Sequence, residues 1–193
     1  MPLILASSSP IRRQILANAG VAFEVVPANV DESGEKVKHR DPAALATALA
    51  ELKALEVSHR RPGEWVAGSD SVVSVGKQMF DKPADRAQAA DHLRLFSGKV
   101  MVLTSAVALA RDGKVEWSEC DSARLHVRSL SEEFIQAYLD AEWPDVGYCV
   151  GVFRLEGRGV QLFDSIEGSF FTILGMPLLP LLGALRDRGA IDG

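Results

Sequence analysis

A mixed α/β fold is predicted by three features of the sequence. Segments with helical periodicity alternate along the chain with short apolar segments of the kind that form strands. The strongly apolar segment 100–110 is followed by the turn sequence Arg111-Asp112-Gly113-Lys114 and by a returning strand to about residue 127. This pattern predicts an antiparallel hairpin, which argues against a purely parallel sheet. The chain has 193 residues and 47% apolar side chains, enough for a hydrophobic core. The length alone does not decide between one compact body and two small lobes. We assign residues 1–193 to a single domain.

The N-terminal segment predicts a strand, a polar turn and a helix. Residues 3–6 are apolar, serines occupy positions 7–9, and a helical pattern covers residues 11–19 before Gly20. Serines ahead of Pro10 form a favourable helix N-terminus, where unpaired backbone N–H groups and the helix dipole attract anions. The turn is therefore suited to a phosphate group.

A second strand, an acidic loop and a long helix follow. The strand is predicted over residues 21–27 and the loop over 30–35, which has no apolar period. The sequence Asp41-Pro42 caps a helix that extends to about residue 58. Lys53 lies at the edge of the apolar stripe of this helix, where a long side chain can reach a neighbouring site.

A carboxylate interrupts the next predicted strand. Residues 65–75 form an apolar segment whose middle carries the polar Ser69-Asp70-Ser71, and a Gly76-Lys77 turn follows. Carboxylates seldom occur inside such segments unless they are paired or bind a metal. Asp70 is therefore either a sheet-edge residue or a site residue, and we favour the second interpretation.

The remaining sequence alternates helices and strands. Asp81-Lys82-Pro83 begins a helix over about 84–96, and Ser131-Glu132-Glu133 caps another that reaches residue 141. The last elements are predicted as strands over 160–166 and 170–174 and a closing helix over 177–188.

Composition argues against several functional classes. The net charge of −5 disfavours a nucleic-acid polymer as partner, because such binding needs clustered Lys and Arg. Two cysteines without CxxC spacing exclude a disulfide scaffold, and none of the four histidines is assigned to a metal. The apolar start of the chain lacks a preceding basic region, and Gly175 and two prolines interrupt the apolar residues 170–185. We therefore expect a soluble cytoplasmic protein without a membrane partner.

Six charged side chains interrupt their local patterns. They are Arg12, Arg13, Glu32, Lys53, Asp70 and Lys82. Phosphoryl-transfer sites need such a mixture, because hard oxygen ligands hold Mg²⁺ or Mn²⁺ while Lys and Arg neutralise phosphate charge. Taken alone, the arginine pair is typical of a solvated helix face, Glu32 of a turn and Lys82 of the surface at a helix start. The hypothesis of a metal–triphosphate site therefore depends on their combination.

The motifs that carry these residues resemble the Maf family. LILASSSPIRR, VDES, LKA around Lys53, GSDSVV and FDKP occur in the family's order and spacing, and LFSGK, TSAVAL and EGSFFTILGMPLLPLL extend the resemblance nearly end to end. The resemblance implies a mixed α/β fold like that of the inosine triphosphate pyrophosphatases, with two lobes flanking a nucleotide-binding cleft. It also implies hydrolysis of a nucleoside triphosphate between the α and β phosphates, which releases a nucleoside monophosphate and pyrophosphate.

The same resemblance implies a role for each interrupting residue. Asp70 becomes the catalytic general base, and a divalent cation, Mg²⁺ or Mn²⁺, is shared by Asp70 and Glu32. The implied substrate-binding residues are Ser7, Arg12, Arg13, Lys53 and Lys82. The implied partner is a small nucleotide, while homodimerisation is left open.

Three positions that border the nucleobase differ between branches of the family. Here they are Ile11, Ser71 and Glu156, within SPIRR, GSDSV and FRLEGRG. The branch that cleaves 7-methyl-GTP resembles this chain at Glu156, but it has an aromatic residue after the proline and GSDQV. The dTTP/UTP branch has a glutamine in place of Glu156. A carboxylate accepts hydrogen bonds from the N1–H and exocyclic amine of guanine, which favours a purine or a modified purine; alternatively, Glu156 only caps a loop.

Three alternative functions stay open at this stage. Maf proteins are also associated with arrest of septum formation, so a non-catalytic nucleotide-binding regulator is one alternative, although all the residues of the implied site are present. A dTTP/UTP pyrophosphatase is another. The third is a cysteine hydrolase that uses Cys149, for which no histidine lies in a motif that would mark the base.

Overall fold

The computed structural model describes residues 2–192. Its strands are β1 (Leu3–Leu5), β2 (Phe23–Val25), β3 (Val66–Val75), β4 (Gln78–Phe80), β5 (Val100–Arg111), β6 (Lys114–Val127) and β7 (Phe163–Glu167). Its helices are α1 (Pro10–Asn18), α2 (Ser33–Lys38), α3 (Pro42–Arg60), α4 (Arg86–Phe96), α5 (Glu132–Glu142), α6 (Phe170–Ile173) and α7 (Leu178–Asp187). Short 3₁₀ helices cover Asp145–Tyr148 and Arg158–Leu162. No helix within residues 2–192 has the length and apolar character needed to cross a lipid bilayer.

The strands form a mixed sheet, which confirms the predicted α/β class. Across the described residues the strand order is β2-β1-β3-β5-β6-β7, with β4 paired to β3. β1 lies parallel to both β2 and β3, whereas the β3–β4 and β6–β7 pairs are antiparallel. Between β5 and β6, Asp112 and Gly113 have φ values of 52° and 73°, the positive values that a tight hairpin turn needs. The turn predicted at this position is confirmed.

Over the described residues the chain divides into two compact units. Unit 1 consists of Met1–Ser71, Thr104–Asp121 and Ser169–Gly193, and unit 2 of Val72–Leu103 and Ser122–Gly168. In unit 1, Ile4 of β1 and Val66 of β3 pack with Val57 of α3, and all three are fully buried. In unit 2, Arg94 of α4 forms a two-point ion pair with Glu132 of α5, at 2.9 and 2.6 Å. Apolar helix–strand packing thus holds unit 1 together, and a surface ion pair joins two helices of unit 2.

The starts of α3 and α5 agree with the capping residues predicted from the sequence. Asp41 and Ser131 each accept a backbone N–H three residues further on, at 2.9 and 3.2 Å. These contacts satisfy donors that a helix start otherwise leaves unpaired. α4 begins at Arg86 instead of about residue 84, because Asp85 provides its cap.

Three local predictions are wrong. The predicted loop over 30–35 becomes helical at Ser33. The strand predicted over 160–166 begins only at Phe163, after a 3₁₀ helix. The strand predicted over 170–174 is the short helix α6. The first segment has no apolar period that would indicate a helix, and the other two are too short for the period of their apolar residues to separate a helical turn from a strand.

Candidate active site

The close approach of α3 to β3 brings two predicted site residues together in unit 1. A Cβ atom at Gly68 of β3 would lie 2.3 Å from the carbonyl oxygen of Ala50 and 2.5 Å from the nitrogen of Ala54, both in α3. Glycine is therefore required at this contact. Because side chains alternate along a strand, Asp70 points to the same face as Gly68, and there it meets Lys53 of α3.

Lys53 lies between two carboxylates. Its Nζ donates to Asp70 Oδ1 at 2.5 Å and forms an ion pair with Glu32 Oε1 at 2.8 Å. The side chains of Lys53 and Asp70 are 16% and 14% exposed, so solvent and salt screen this pair less than a surface pair. Glu32 immediately precedes α2, the helix that the sequence did not predict. Unit 1 thus joins two carboxylates and an ammonium group at one point.

Arg12 is held in the same unit by two hydrogen bonds. Its Nε donates to the carbonyl oxygen of Gly175 at 2.8 Å, and its Nη2 donates to Ser71 Oγ at 3.0 Å. Burial lowers the pKa of Arg12 from its ordinary value, while the negative charges of Asp70 and Glu32 raise it. Arginine keeps its proton in proteins, so it is a second fixed cation. We call Arg12, Glu32, Lys53 and Asp70 the unit 1 cluster.

Sequence reasoning missed a backbone carbonyl that organises this part of the site. The Gly175 oxygen accepts from Arg12 Nε at 2.8 Å. It also lies 2.9 Å from Ser69 Oγ, which has a shorter contact of 2.7 Å with the carbonyl oxygen of Ala106. Gly175 has a φ of +101°, and a Cβ atom there would lie 3.3 Å from Ser71 Oγ. The positive φ strongly favours glycine, and the contact with Ser71 Oγ would be tighter than an ordinary van der Waals contact. In the sequence, the glycine directly before Met176-Pro177 is the signal that could have indicated this carbonyl. It could not be interpreted, because the contact between Gly175 and Arg12 is not visible in the sequence.

The other predicted residues of unit 1 lie at the start of α1. Ser7 is 7% exposed, and its Oγ accepts the backbone N–H of Ser9 at 3.2 Å, which shapes the turn before the helix. Ser9 provides no side-chain cap to α1, so the helix start keeps the anion-binding character expected from the sequence. Ile11 is half-buried and Arg13 is exposed.

Lys82 and Glu156 belong to unit 2, where both are exposed and both act electrostatically on Cys149. Burial first, and then the negative charge of Glu156, raise the pKa of Cys149 to about 11, although Lys82 opposes the shift. A thiol with this pKa is protonated at neutral pH, whereas the nucleophile of a cysteine hydrolase is a thiolate. The structure therefore argues against a cysteine hydrolase.

Asp70 and Glu32 are the carboxylates that the unit 1 cluster offers to a divalent cation. Within residues 2–192, no group of three or more His, Cys, Asp or Glu side chains is arranged to hold a metal ion. Mg²⁺ does not need such a group, because it commonly takes one or two protein carboxylates and completes its shell with water and substrate phosphates. The donor set fits Mg²⁺ or Mn²⁺ that arrives with a phosphate chain.

Comparison with known proteins identifies the family of the chain. Residues 2–188 match the family described as Maf-like protein. A 7-methyl-GTP pyrophosphatase of Rhizobium etli is 49% identical over 196 residues, which cover 99% of this chain and 98% of that protein. A nucleoside triphosphate pyrophosphatase of Rhodopseudomonas palustris is 47% identical over 189 residues, covering 97% and 94%. A solved HAM1 protein of Coxiella burnetii aligns over 66% of this chain and 73% of its own, at 12% identity and a TM-score of 0.46, too weakly to support an argument. From the extent of the family match and these sequence identities, the chain belongs to the Maf family.

Proposed function

We propose that the chain is a nucleoside triphosphate pyrophosphatase, which hydrolyses the bond between the α and β phosphates and releases a nucleoside monophosphate and pyrophosphate. The unit 1 cluster supports the proposal. Lys53 forms ion pairs with both Asp70 and Glu32, and the negative charges of these two carboxylates raise the pKa of Arg12. Two carboxylates and two cations suit a reaction that is catalysed by positioning and by charge neutralisation. The names of the similar proteins from R. etli and Rh. palustris agree with this activity.

Asp70 acts as the general base in this proposal. Lys53 donates to Asp70 Oδ1, and we assign the proton of the attacking water to the other carboxyl oxygen, Oδ2. The proton passes from the water to Asp70 as the water oxygen bonds to the α phosphorus. The bond between the α phosphorus and the bridging oxygen breaks, and this oxygen leaves with pyrophosphate. Pyrophosphate is one product and the nucleoside monophosphate is the other.

Within unit 1, the phosphate chain is assigned to cations and to backbone donors. Arg12 and Arg13 supply positive charge, and the turn at Ser7 presents the N-terminus of α1. Lys53 is already paired with two carboxylates. We therefore assign Lys53 mainly to holding these carboxylates, and assign the phosphate contacts first to Arg12.

A divalent cation, Mg²⁺ or Mn²⁺, is assigned to Glu32 and Asp70. Both carboxylates converge on the cationic Nζ of Lys53, and this convergence supports the assignment. When bound, the ion neutralises the phosphate charge that the reaction develops. Lys53 and Arg12 hold their positions through protein contacts alone.

We infer a modified purine nucleotide such as 7-methyl-GTP as the substrate. The R. etli relative carries that name, and Glu156 lies exposed in a turn, where its carboxylate can accept hydrogen bonds from the N1–H and amine of guanine. The turn is anchored within unit 2. Arg154 forms ion pairs with Glu142 at 3.0 Å and Asp145 at 2.9 Å, and its carbonyl oxygen accepts the N–H of Gly157 at 3.1 Å.

Glu156→Gln is expected to move the preference toward pyrimidine nucleotides. Glutamine loses one of two acceptor oxygens for guanine and gains a donor for a uracil carbonyl. We expect kcat/KM for 7-methyl-GTP to fall by about tenfold or more, while the value for UTP does not fall. Glu167→Gln, also exposed in unit 2, is the matched control. Equal losses for the two nucleotides would contradict a role of Glu156 in base recognition.

A nucleotide panel tests the proposal against the two remaining alternatives. Pyrophosphate release is measured from 7-methyl-GTP, GTP, dTTP and UTP with Mg²⁺ or Mn²⁺. We expect release to be fastest from 7-methyl-GTP. We also propose that the protein acts in the cytoplasm, where nucleoside triphosphates are held. If release is fastest from dTTP or UTP, only the assignment of a modified purine as the preferred nucleobase is contradicted. Nucleotide binding without release under either metal would favour the non-catalytic regulator of septum formation.

A further inference from the structure

A chain of hydrogen bonds in unit 1 ends on Arg12. Ser105 of β5 is fully buried, and its Oγ donates to the carbonyl oxygen of Thr172 in α6 at 2.8 Å. Ser71 Oγ lies 2.8 Å from Ser105 Oγ. Arg12 Nη2 in turn donates to Ser71 Oγ at 3.0 Å. Two hydroxyl groups therefore connect Arg12 to the backbone of α6.

The direction of this chain follows from the number of protons available. A serine hydroxyl has one proton, whereas a carbonyl oxygen only accepts. Ser105 Oγ donates its proton to the carbonyl oxygen of Thr172. The proton in the hydrogen bond between Ser71 Oγ and Ser105 Oγ is therefore donated by Ser71. The longer contact of Ser71 Oγ with the Gly175 oxygen, at 3.3 Å, then has no proton to share. Ser71 consequently has no donor left for a nucleobase.

We propose that Ser105 is a positioning residue that acts through Ser71 to orient the phosphate-binding edge of Arg12. The protein holds Arg12 through Nε and Nη2, so Nη1 is the guanidinium nitrogen left for a ligand among the described contacts. Because the guanidinium is planar, fixing two nitrogens fixes the direction of the third. This inference rests on the proposed function, in which Arg12 binds phosphate, and it gives the Ser71 hydroxyl a role in holding Arg12.

The far end of the chain is itself fixed. Thr172 is fully buried, and its Oγ1 donates to Asp121 Oδ2 at 2.5 Å. The carbonyl that receives the Ser105 proton therefore belongs to a residue whose side chain is also bonded. A buried anchor of this kind gives Arg12 one preferred orientation before a ligand binds, which reduces the ordering cost of binding.

A double-mutant cycle on pyrophosphate binding tests this role. The dissociation constant for inorganic pyrophosphate with Mg²⁺ is measured by calorimetry for the wild type, Ser105→Ala, Arg12→Gln and the double variant. We expect Ser105→Ala to weaken binding by roughly tenfold, and to have no further effect once Arg12 is replaced. Additive losses would overturn the proposal. Ser58→Ala is the control, because it removes another buried hydroxyl of unit 1, one that accepts the Gly113 N–H at 2.9 Å, and leaves binding unchanged.

Ser71→Ala provides a second variant, because Ser105→Ala leaves the buried Thr172 carbonyl without its donor and destabilises the fold. Ser71→Ala is expected to weaken pyrophosphate binding by the same factor and to leave the ratio of kcat/KM for 7-methyl-GTP and UTP unchanged. A changed ratio with unchanged pyrophosphate binding would overturn the proposal. If the folded wild type binds no pyrophosphate, the proposed function fails as well. If it binds and the cycle is additive, only the role of Ser105 fails.

Discussion

Asp70→Asn is expected to lower kcat for pyrophosphate release by about 10²- to 10⁴-fold. Asparagine preserves the shape of the side chain, but its amide does not take a proton from water at neutral pH. The change also removes one of the two negative charges that face Lys53 and that we assign to the divalent cation. Steady-state kinetics with 7-methyl-GTP and Mg²⁺ measure the loss.

Controls separate the loss of chemistry from a loss of structure. The melting temperature of Asp70→Asn should stay close to that of the wild type, because the two side chains have the same shape and Lys53 keeps Glu32 as a partner. Asp187→Asn, at the exposed end of α7, should retain the wild-type kcat. If Asp70→Asn kept more than about a tenth of the wild-type kcat, the general-base role would be contradicted, since such groups contribute far more.

Gly68→Ala is expected to destabilise the protein by about 2–3 kcal/mol. The added Cβ atom would lie 2.3 Å from the Ala50 oxygen and 2.5 Å from the Ala54 nitrogen, and both are backbone atoms of a buried helix face that cannot rotate away. The clash is relieved only if α3 moves off β3, which would also separate Lys53 from Asp70. We therefore expect kcat to fall together with the free energy of unfolding, as measured by urea denaturation.

Gly183→Ala is the matched control for this substitution. Gly183 lies within α7, and among residues 2–192 no heavy atom outside its chain neighbours and the backbone of its own helix lies within 4 Å of an added Cβ atom. Alanine there should leave the free energy of unfolding unchanged or raise it by up to about 1 kcal/mol, because glycine is the poorer helix former. A wild-type free energy of unfolding for Gly68→Ala would contradict the close packing of α3 on β3.

Local chemistry made much of the fold predictable. Asp41 and Ser131 cap their helices because each side-chain oxygen reaches a nearby backbone N–H, and Asp112-Gly113 forms a hairpin turn because these residues tolerate positive φ. Signals of this kind lie within a few residues of the structure that they determine. The helix α6 has no such signal, and its apolar residues were equally consistent with a strand.

The charged residues of the site were predictable for a related reason. Asp70 stands out inside an apolar strand and Lys53 at the edge of a helix face, and the structure pairs them. The contributions of Gly68, Ser105 and the Gly175 carbonyl were not predictable, because each depends on a distance between elements far apart in the sequence. Arg12 and Gly175, for example, are separated by 163 positions.

The products formed from 7-methyl-GTP test the central claim most directly. The wild-type protein is incubated with this nucleotide and Mg²⁺, and the products are separated by ion-exchange chromatography. We predict equimolar 7-methyl-GMP and pyrophosphate, which only cleavage between the α and β phosphates produces in a single step. Formation of 7-methyl-GDP and orthophosphate, or no turnover by the folded protein, would contradict the claim.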